Sequence, residues 1–345
     1  ELKTQEVNAT CKKAGACYSD TSIIYAEKIY NEILEKTISW NDSVLIASCM
    51  EQLGIFYLAD TDYDKALKAF DKEYKYLNTD TAFYALGAYF NNMGFIFYKR
   101  AAFQKSIAYY QLSIEKRKIL NDNKAVADAK LNIGIAYKEM GFYELAMIHL
   151  LAACSYYEVQ KKNTELSSCF NTIANTQTEL ENYKLALRYH FKALQLRKKS
   201  GNQSDIGSSL TNIGQTYLLN KQYGNAILFL RQSVSIKKTI KSKKLYSSLN
   251  LLGEVYLELN QTDTAEKYFT DALILQRING EKKGEAITHN NLGKLYLKTG
   301  RYREATAHLD TATGDALDMR TNNVEAAFIR GKKIQLTNEQ MRLYE

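Results

Sequence analysis

Residues 210–230 read LTNIGQTYLLNKQYGNAILFL. After Gly214 come Tyr217 at three residues, Tyr223 at nine, Ala226 at twelve and Leu230 at sixteen. The same pattern returns with the small residue at Gly54, Gly94, Gly134, Ala174, Gly214, Gly253 and Gly293, in steps of forty residues with one step of thirty-nine. Self-similarity at this period marks stacked supersecondary units rather than one globular core. Position three is aromatic in six of seven copies (Tyr57, Phe97, Tyr137, Tyr217, Tyr256, Tyr296), with Gln177 as the exception. Position twelve is always small, from Ala66 and Ser106 to Ala305, and position sixteen is large: Phe70, Tyr110, Leu150, His190, Leu230, Phe269 or Leu309.

Intervals of three, four and their sums are helical periods, so each unit reads as helix, tight turn, helix. Turn-forming residues fall between the halves, at Asp60-Thr61-Asp62, Gly141, Asn182, Asn220 and Gly300. Small residues on two neighbouring helices allow close approach. A lone helix pair cannot bury its apolar stripe, so stacked neighbours supply the core.

These residues resemble the tetratricopeptide repeat (TPR), whose unit is about thirty-four residues long. The resemblance runs from about Ala47 to Met319, and Ala26 and Tyr30, forty residues before Ala66 and Phe70, suggest a degenerate earlier unit. The tryptophan often found early in the TPR first helix is missing, and so is the closing proline, since the chain has no proline. A second helix without that proline can run longer. The forty-residue period resembles the subclass of kinesin light chains, Pins-like adaptors and bacterial Rap-type or sensor-associated regulators. The resemblance implies an all-α fold, a right-handed TPR superhelix of about eight repeats with a concave groove lined by the first helices. The expected layout is a degenerate repeat or cap over 1–46, seven repeats over 47–321 and a capping or connector helix over 322–345.

A chain of 345 residues would ordinarily suggest two domains. A solenoid grows linearly, so a single array is expected. No apolar stretch is long enough to span a membrane, and no signal-peptide pattern opens the sequence, which starts at Glu1 and is read as having lost or lacking an N-terminal segment. The five cysteines, Cys11, Cys17, Cys49, Cys154 and Cys169, show no CxxC or metal spacing. They read as small core residues in a reducing compartment, which favours the cytoplasm; a periplasmic sensor domain and a Cys154–Cys169 bridge stay open.

No catalytic residue, metal ligand or cofactor site is expected. The four histidines, His149, His190, His289 and His308, sit on different repeats, and His190 falls at a large core position. No phosphate-binding, hydrolase or dinucleotide fingerprint occurs, and the glycines are explained by packing. Rap-type regulators act on a response regulator through an N-terminal helical bundle. Residues 1–40 are read as too short for one, so that activity is not carried over.

Asparagine is the candidate binding residue. Two positions before the small residue stand Asn92, Asn132, Asn212 and Asn291; one position earlier stand Asn91, Asn171, Asn250 and Asn290. In peptide-binding TPR proteins such positions face the groove, and the resemblance implies amide bonds to a ligand backbone. An amide carries both donor and acceptor, so it can satisfy the C=O and N–H of an extended peptide. Asparagine is also a poor helix former, so propensity does not explain its recurrence. The competing reading has these amides bonding only between helices or to water. The same register adds Tyr98, Lys138, Asn175, Gln215 and Lys294 to the groove, with Asn212 and Asn291 as the strongest candidates because Gln215 and Lys294 follow them. The lining is mixed in charge, and no paired-lysine carboxylate clamp is evident, so an internal or amphipathic peptide is the expected partner.

The net charge of +8 suggests a second surface. Lys116-Arg117-Lys118, Lys161-Lys162, Arg197-Lys198-Lys199, Lys237-Lys238 and Lys282-Lys283 recur near the ends of the second helices. In register they would line one edge. Such cations complement the helix dipole, or they could meet nucleic acid, an acidic protein or a membrane surface. Nucleic acid is the less expected partner. A constitutive scaffold associating through its outer faces is the alternative to groove binding.

Overall fold

A computed structural model describes residues 2–16, 23–77 and 81–318. Among the described residues the regular elements are sixteen α-helices, joined as consecutive antiparallel pairs. The fold is an all-α TPR-type solenoid, as the period implies. Two compact units are distinguished, Glu1–Gln160 and Lys161–Glu345.

The first unit holds α1 (Leu2–Ala16), α2 (Ile23–Ser39), α3 (Ser43–Ala59), α4 (Tyr63–Tyr76), α5 (Phe83–Lys99), α6 (Phe103–Ile119), α7 (Asn123–Glu139) and α8 (Tyr143–Val159). The second holds α9 (Asn163–Glu179), α10 (Tyr183–Ser200), α11 (Gln203–Leu219), α12 (Tyr223–Thr239), α13 (Leu245–Glu258), α14 (Thr262–Asn279), α15 (Lys282–Lys298) and α16 (Tyr302–Asp318). Helices α1 and α2 pack against each other ahead of α3, and Ala26 and Tyr30 lie on α2. The terminal helix expected over 322–345 lies outside the described residues, as does Cys17.

Each pair is locked where the sequence pattern indicated. A Cβ added to Gly54 would come within 2.6 Å of the Phe70 ring, and one on Gly134 or Gly253 within 2.7 Å of Leu150 or 2.5 Å of Phe269. The small residue on the first helix is the socket for the large residue sixteen positions on. Phe70, Tyr110, Leu150, His190, Leu230 and Phe269 are all essentially excluded from solvent. Each large apolar side chain so buried contributes roughly 1.5–3 kcal/mol. Where position twelve is serine, the cost of a buried hydroxyl is met by a bond from Ser106 Oγ to the Gly94 carbonyl at 2.7 Å.

The extra length of the period is shared by both helices, which corrects the expectation that the second helix alone is extended. From α5 to α8 each helix runs seventeen residues with three-residue turns between them. The turns repeat one geometry. Their middle residue is left-handed, at Asn41, Thr61, Ala101, Asn121, Gly141 and so on to Gly300. In turns within a repeat the next residue then donates back to the carbonyl of position three, as in Asp62 N to Tyr57 O at 2.9 Å, Gln222 N to Tyr217 O at 2.8 Å and Arg301 N to Tyr296 O at 2.8 Å. This six-to-one bond is the Schellman closure of a helix end. Where Gln177 replaces the aromatic, Asn182 Nδ2 also donates to its Oε1 at 3.0 Å.

Candidate functional site

The register asparagines sit on the first helices of both units, and in the second unit they meet. Asn212 Nδ2 on α11 donates to Asn171 Oδ1 on α9 at 2.8 Å. Asn291 Nδ2 on α15 donates to Asn250 Oδ1 on α13 at 3.5 Å and to Glu254 Oε1 at 2.8 Å. Both pairs join residues one period plus one apart, so the residue two before one small position reaches the residue three before the previous one. Asn91 and Asn132 hold the equivalent positions on α5 and α7 and are half-buried. In these two pairs one asparagine of each column supplies one half of an inter-helix contact. For these pairs the observed bonds are those of the competing reading, in which the amides bond between helices.

The pairs differ in access. Asn171, Asn175 and Asn212 are half-buried and Gln215 is exposed. Asn250 and Asn291 are 7% and 4% exposed, and Thr288 Oγ1 also donates to Asn250 Oδ1 at 3.3 Å. Asn291, expected among the strongest groove residues, is thus an inter-helix amide inside α13–α15. Its neighbour Lys294 remains half-exposed on the same helix. In the first unit Asn92, Asn132, Tyr98 and Lys138 are half-buried on the equivalent face. Burial pushes the Tyr98 hydroxyl up to about 12, and Lys138 pairs with Glu139 at 2.6 Å.

The basic clusters do not form one solvated edge. From each of three clusters one cation turns inward at the position twenty-three after the small residue. Arg117 pairs with Asp122 at 3.1 Å and lies over the Tyr84 ring. Arg197 bonds Ser209 Oγ at 2.9 Å and the Asp205 carbonyl at 3.3 Å. Lys237 Nζ donates to Thr211 Oγ1, Ser248 Oγ, Ser247 Oγ and the Lys244 carbonyl at 2.9–3.2 Å, and burial pushes it down to about 8. These cations join a second helix to the first helix of the following repeat. Lys118, Lys198, Lys199, Lys238, Lys241, Lys243 and Lys244 stay exposed.

The histidines divide in the same way. His190 is buried in the large-residue socket, where desolvation pushes it down to about 3 and keeps it neutral. His289 and His308 face each other, Nδ1 to Nδ1 at 2.7 Å, across α15 and α16. Their separation of nineteen residues gave no hint of this contact. Among the described residues no group of three or more His, Cys, Asp or Glu side chains is placed to hold a metal ion, and no helix is long and apolar enough to cross a membrane.

Stacked helix pairs with a socketed small residue and a polar row on the first helices define an α-solenoid of the protein-interaction class. The tetratricopeptide repeat model matches residues 166–239 and 245–314. Over these residues the chain carries tetratricopeptide repeats. Response regulator aspartate phosphatase A of Bacillus subtilis is 26% identical over 183 residues, covering 52% of this chain and 48% of that protein. Tetratricopeptide repeat protein 29 of Macaca fascicularis is 20% identical over 283 residues, 76% of this chain and 56% of that protein. The chain spans about half the length of these two curated relatives.

Among solved structures, a Rap protein complexed with competence and sporulation factor superposes with a TM-score of 0.68 at 15% identity, over 98% of this chain and 99% of that one. The quorum sensor NprR of B. thuringiensis in its apo form gives 0.61 at 15% identity over 96% and 99%, and NprR with its cognate peptide NprX gives 0.61 at 15% over 96% and 98%. At this identity the likeness establishes the fold. It extends over nearly all of the solved Rap chain, so it is not confined to the matched repeats. The reading of residues 1–40 as too short for a Rap-like N-terminal part draws no support from that comparison.

Proposed function

We propose that this chain is a non-catalytic regulator or adaptor that binds an extended peptide or protein segment along the inner face of its first helices. The observation that carries the reading is the amide row of the second unit: Asn171, Asn175, Asn212 and Gln215 share one face of α9 and α11 and remain partly open to solvent. Each asparagine offers two donors and a two-lone-pair acceptor, and the Asn171–Asn212 bond uses one position on each. The remaining positions suit the alternating C=O and N–H of a strand-like backbone. Lys294 adds a cation, and Asn92, Asn132, Tyr98 and Lys138 are the corresponding residues of the first unit. Asn250 and Asn291 tie α13 to α15. The peptide complexes of the Rap and NprR structures support the class of ligand; no phosphatase activity is carried over from the curated relatives.

Selection of a displayed random-peptide library on the full chain tests this. Peptides selected on the wild type should lose about tenfold or more in affinity on Asn171→Ala/Asn212→Ala, as expected for one or two lost hydrogen bonds from a buried ligand backbone. The variant should keep a cooperative melt. Binding that survives this change but falls on Lys198→Ala/Lys199→Ala/Lys238→Ala would overturn groove binding in favour of the exposed cations.

A further inference from the structure

The last described repeat puts two histidines where other repeats put an aromatic contact. Four residues before the small position and fifteen after it, Phe90 faces Tyr109 and Phe170 faces Tyr189, with ring centroids 6.3 and 5.8 Å apart. Around Gly293 the same two positions hold His289 on α15 and His308 on α16. Their Nδ1 atoms are 2.7 Å apart and their ring centroids 4.9 Å. A packing contact has become a hydrogen bond between two titratable rings.

A bond between two ring nitrogens holds one proton. His289 is buried, and its Nε2 has no hydrogen-bond partner. The network therefore puts the shared proton on His289 Nδ1, which leaves Nε2 as a bare acceptor rather than a buried donor with nothing to bond. His308 Nδ1 accepts. A further proton has no good place to go. On His308 Nδ1 it would meet the His289 N–H across 2.7 Å, and the alternative puts a hydrogen on His289 Nε2, a buried donor without an acceptor. The surrounding carboxylates are already engaged. Glu285 of α15 pairs with Arg277 of α14 at 3.6 Å, while Glu266 of α14 and Glu304 of α16 pair with Arg301 at 3.1 and 3.0 Å. From α13, Glu254 accepts from Asn291 at 2.8 Å. Burial, the facing ring and Arg277 push His289 down to about 4. Burial and Arg277 push His308 down as well.

We propose that His289 and His308 form a pH-operated latch that keeps α16 docked on α15 at neutral pH and releases it in mildly acid surroundings. While α16 is docked both rings stay neutral; once it is released each regains the ordinary value of 6.5. Docking is therefore fully favoured above 6.5 and is lost as pH falls from there toward about 4. Between pH 7 and pH 5, His289 alone multiplies the released population roughly twentyfold. Release uncovers Ala305, Leu309 and Ala312, the buried face of α16, and withdraws Leu309 from its socket at Gly293. Asn291 and Lys294 lie on α15 too, so the change reaches a first helix of the array.

The test is hydrogen–deuterium exchange of the full chain at pH 7 and pH 5, read by mass spectrometry, with each rate divided by that of an unstructured peptide at the same pH. Peptides from α16 should exchange roughly twentyfold faster at pH 5, while those from α12 change by less than about threefold. His289→Phe/His308→Tyr, which installs the pairing of Phe90 with Tyr109, should leave α16 equally protected at both pH values. If that variant melts without cooperativity, the wild-type comparison of α16 with α12 decides. Unchanged exchange in α16, an equal rise in α12 and α16, or an acid response that survives in the folded double variant would each overturn the proposal.

Discussion

Nineteen residues after the small position, six repeats place Ser113, Ala153, Ala193, Ser233, Ala272 and Ala312, and one places Glu73. Glu73 is 1% exposed, and its Oε2 has no hydrogen-bond partner. Burial, reinforced by the charge of Glu51, pushes its carboxyl up to about 9. The folded protein therefore holds a proton there that the unfolded chain releases above the ordinary value of 4.5. Stability is fully present below that value and falls as pH rises toward about 9. Replacing Glu73 by alanine, the residue of the other repeats, should raise stability by roughly 1–3 kcal/mol at pH 8 and flatten the slope over that window. Urea unfolding at several pH values checks both. The sequence made this residue visible as an exception to the register but could not show its missing partner. Asn291 is the reverse case: its register was plain, and its burial came from α13 and Glu254, which lie outside its own repeat.

At the level of the helix and the turn, most of the architecture was legible, because a small residue and a large one sixteen apart leave little choice but a helix pair. The turns were less so. Glycine marks only Gly141, Gly201, Gly280 and Gly300, whereas nine other residues take the same left-handed conformation, held there by the Schellman bonds. A left-handed residue with a Cβ costs roughly 1–2 kcal/mol. Ala101→Gly should therefore stabilise the protein by about 0.5–1 kcal/mol after the entropy of the unfolded glycine is counted, measured as a shift in denaturation midpoint. At Gly253 the sign reverses. Alanine would gain helix propensity, but its Cβ would lie 2.5 Å from the buried Phe269 ring, so Gly253→Ala should cost roughly 1–2 kcal/mol net. The inward cations were readable in principle. Positions twelve, sixteen, nineteen and twenty-three fall on one helical face, which selects Arg117, Arg197 and Lys237 from their clusters, and the runs of charge drew attention to the edge instead.

For the chain as a whole, the repeat period makes each pair depend on its immediate neighbours rather than on a distant core. Residues 161–345 expressed alone should accordingly be helical by circular dichroism and should melt as a cooperative unit; a random-coil spectrum would contradict this reading. The Asn171–Asn212 and Asn250–Asn291 contacts add a rule about length. Because each reaches from one repeat into the next with a fixed offset, only the loss or gain of an entire period leaves donor facing acceptor at the new junction. A deletion of any other size would set an amide against the wrong turn of its neighbour. The molecule can thus be shortened or extended by whole repeats and by little else, which makes the number of repeats, rather than the length of any loop, the variable through which proteins of this design can be fitted to longer or shorter ligands.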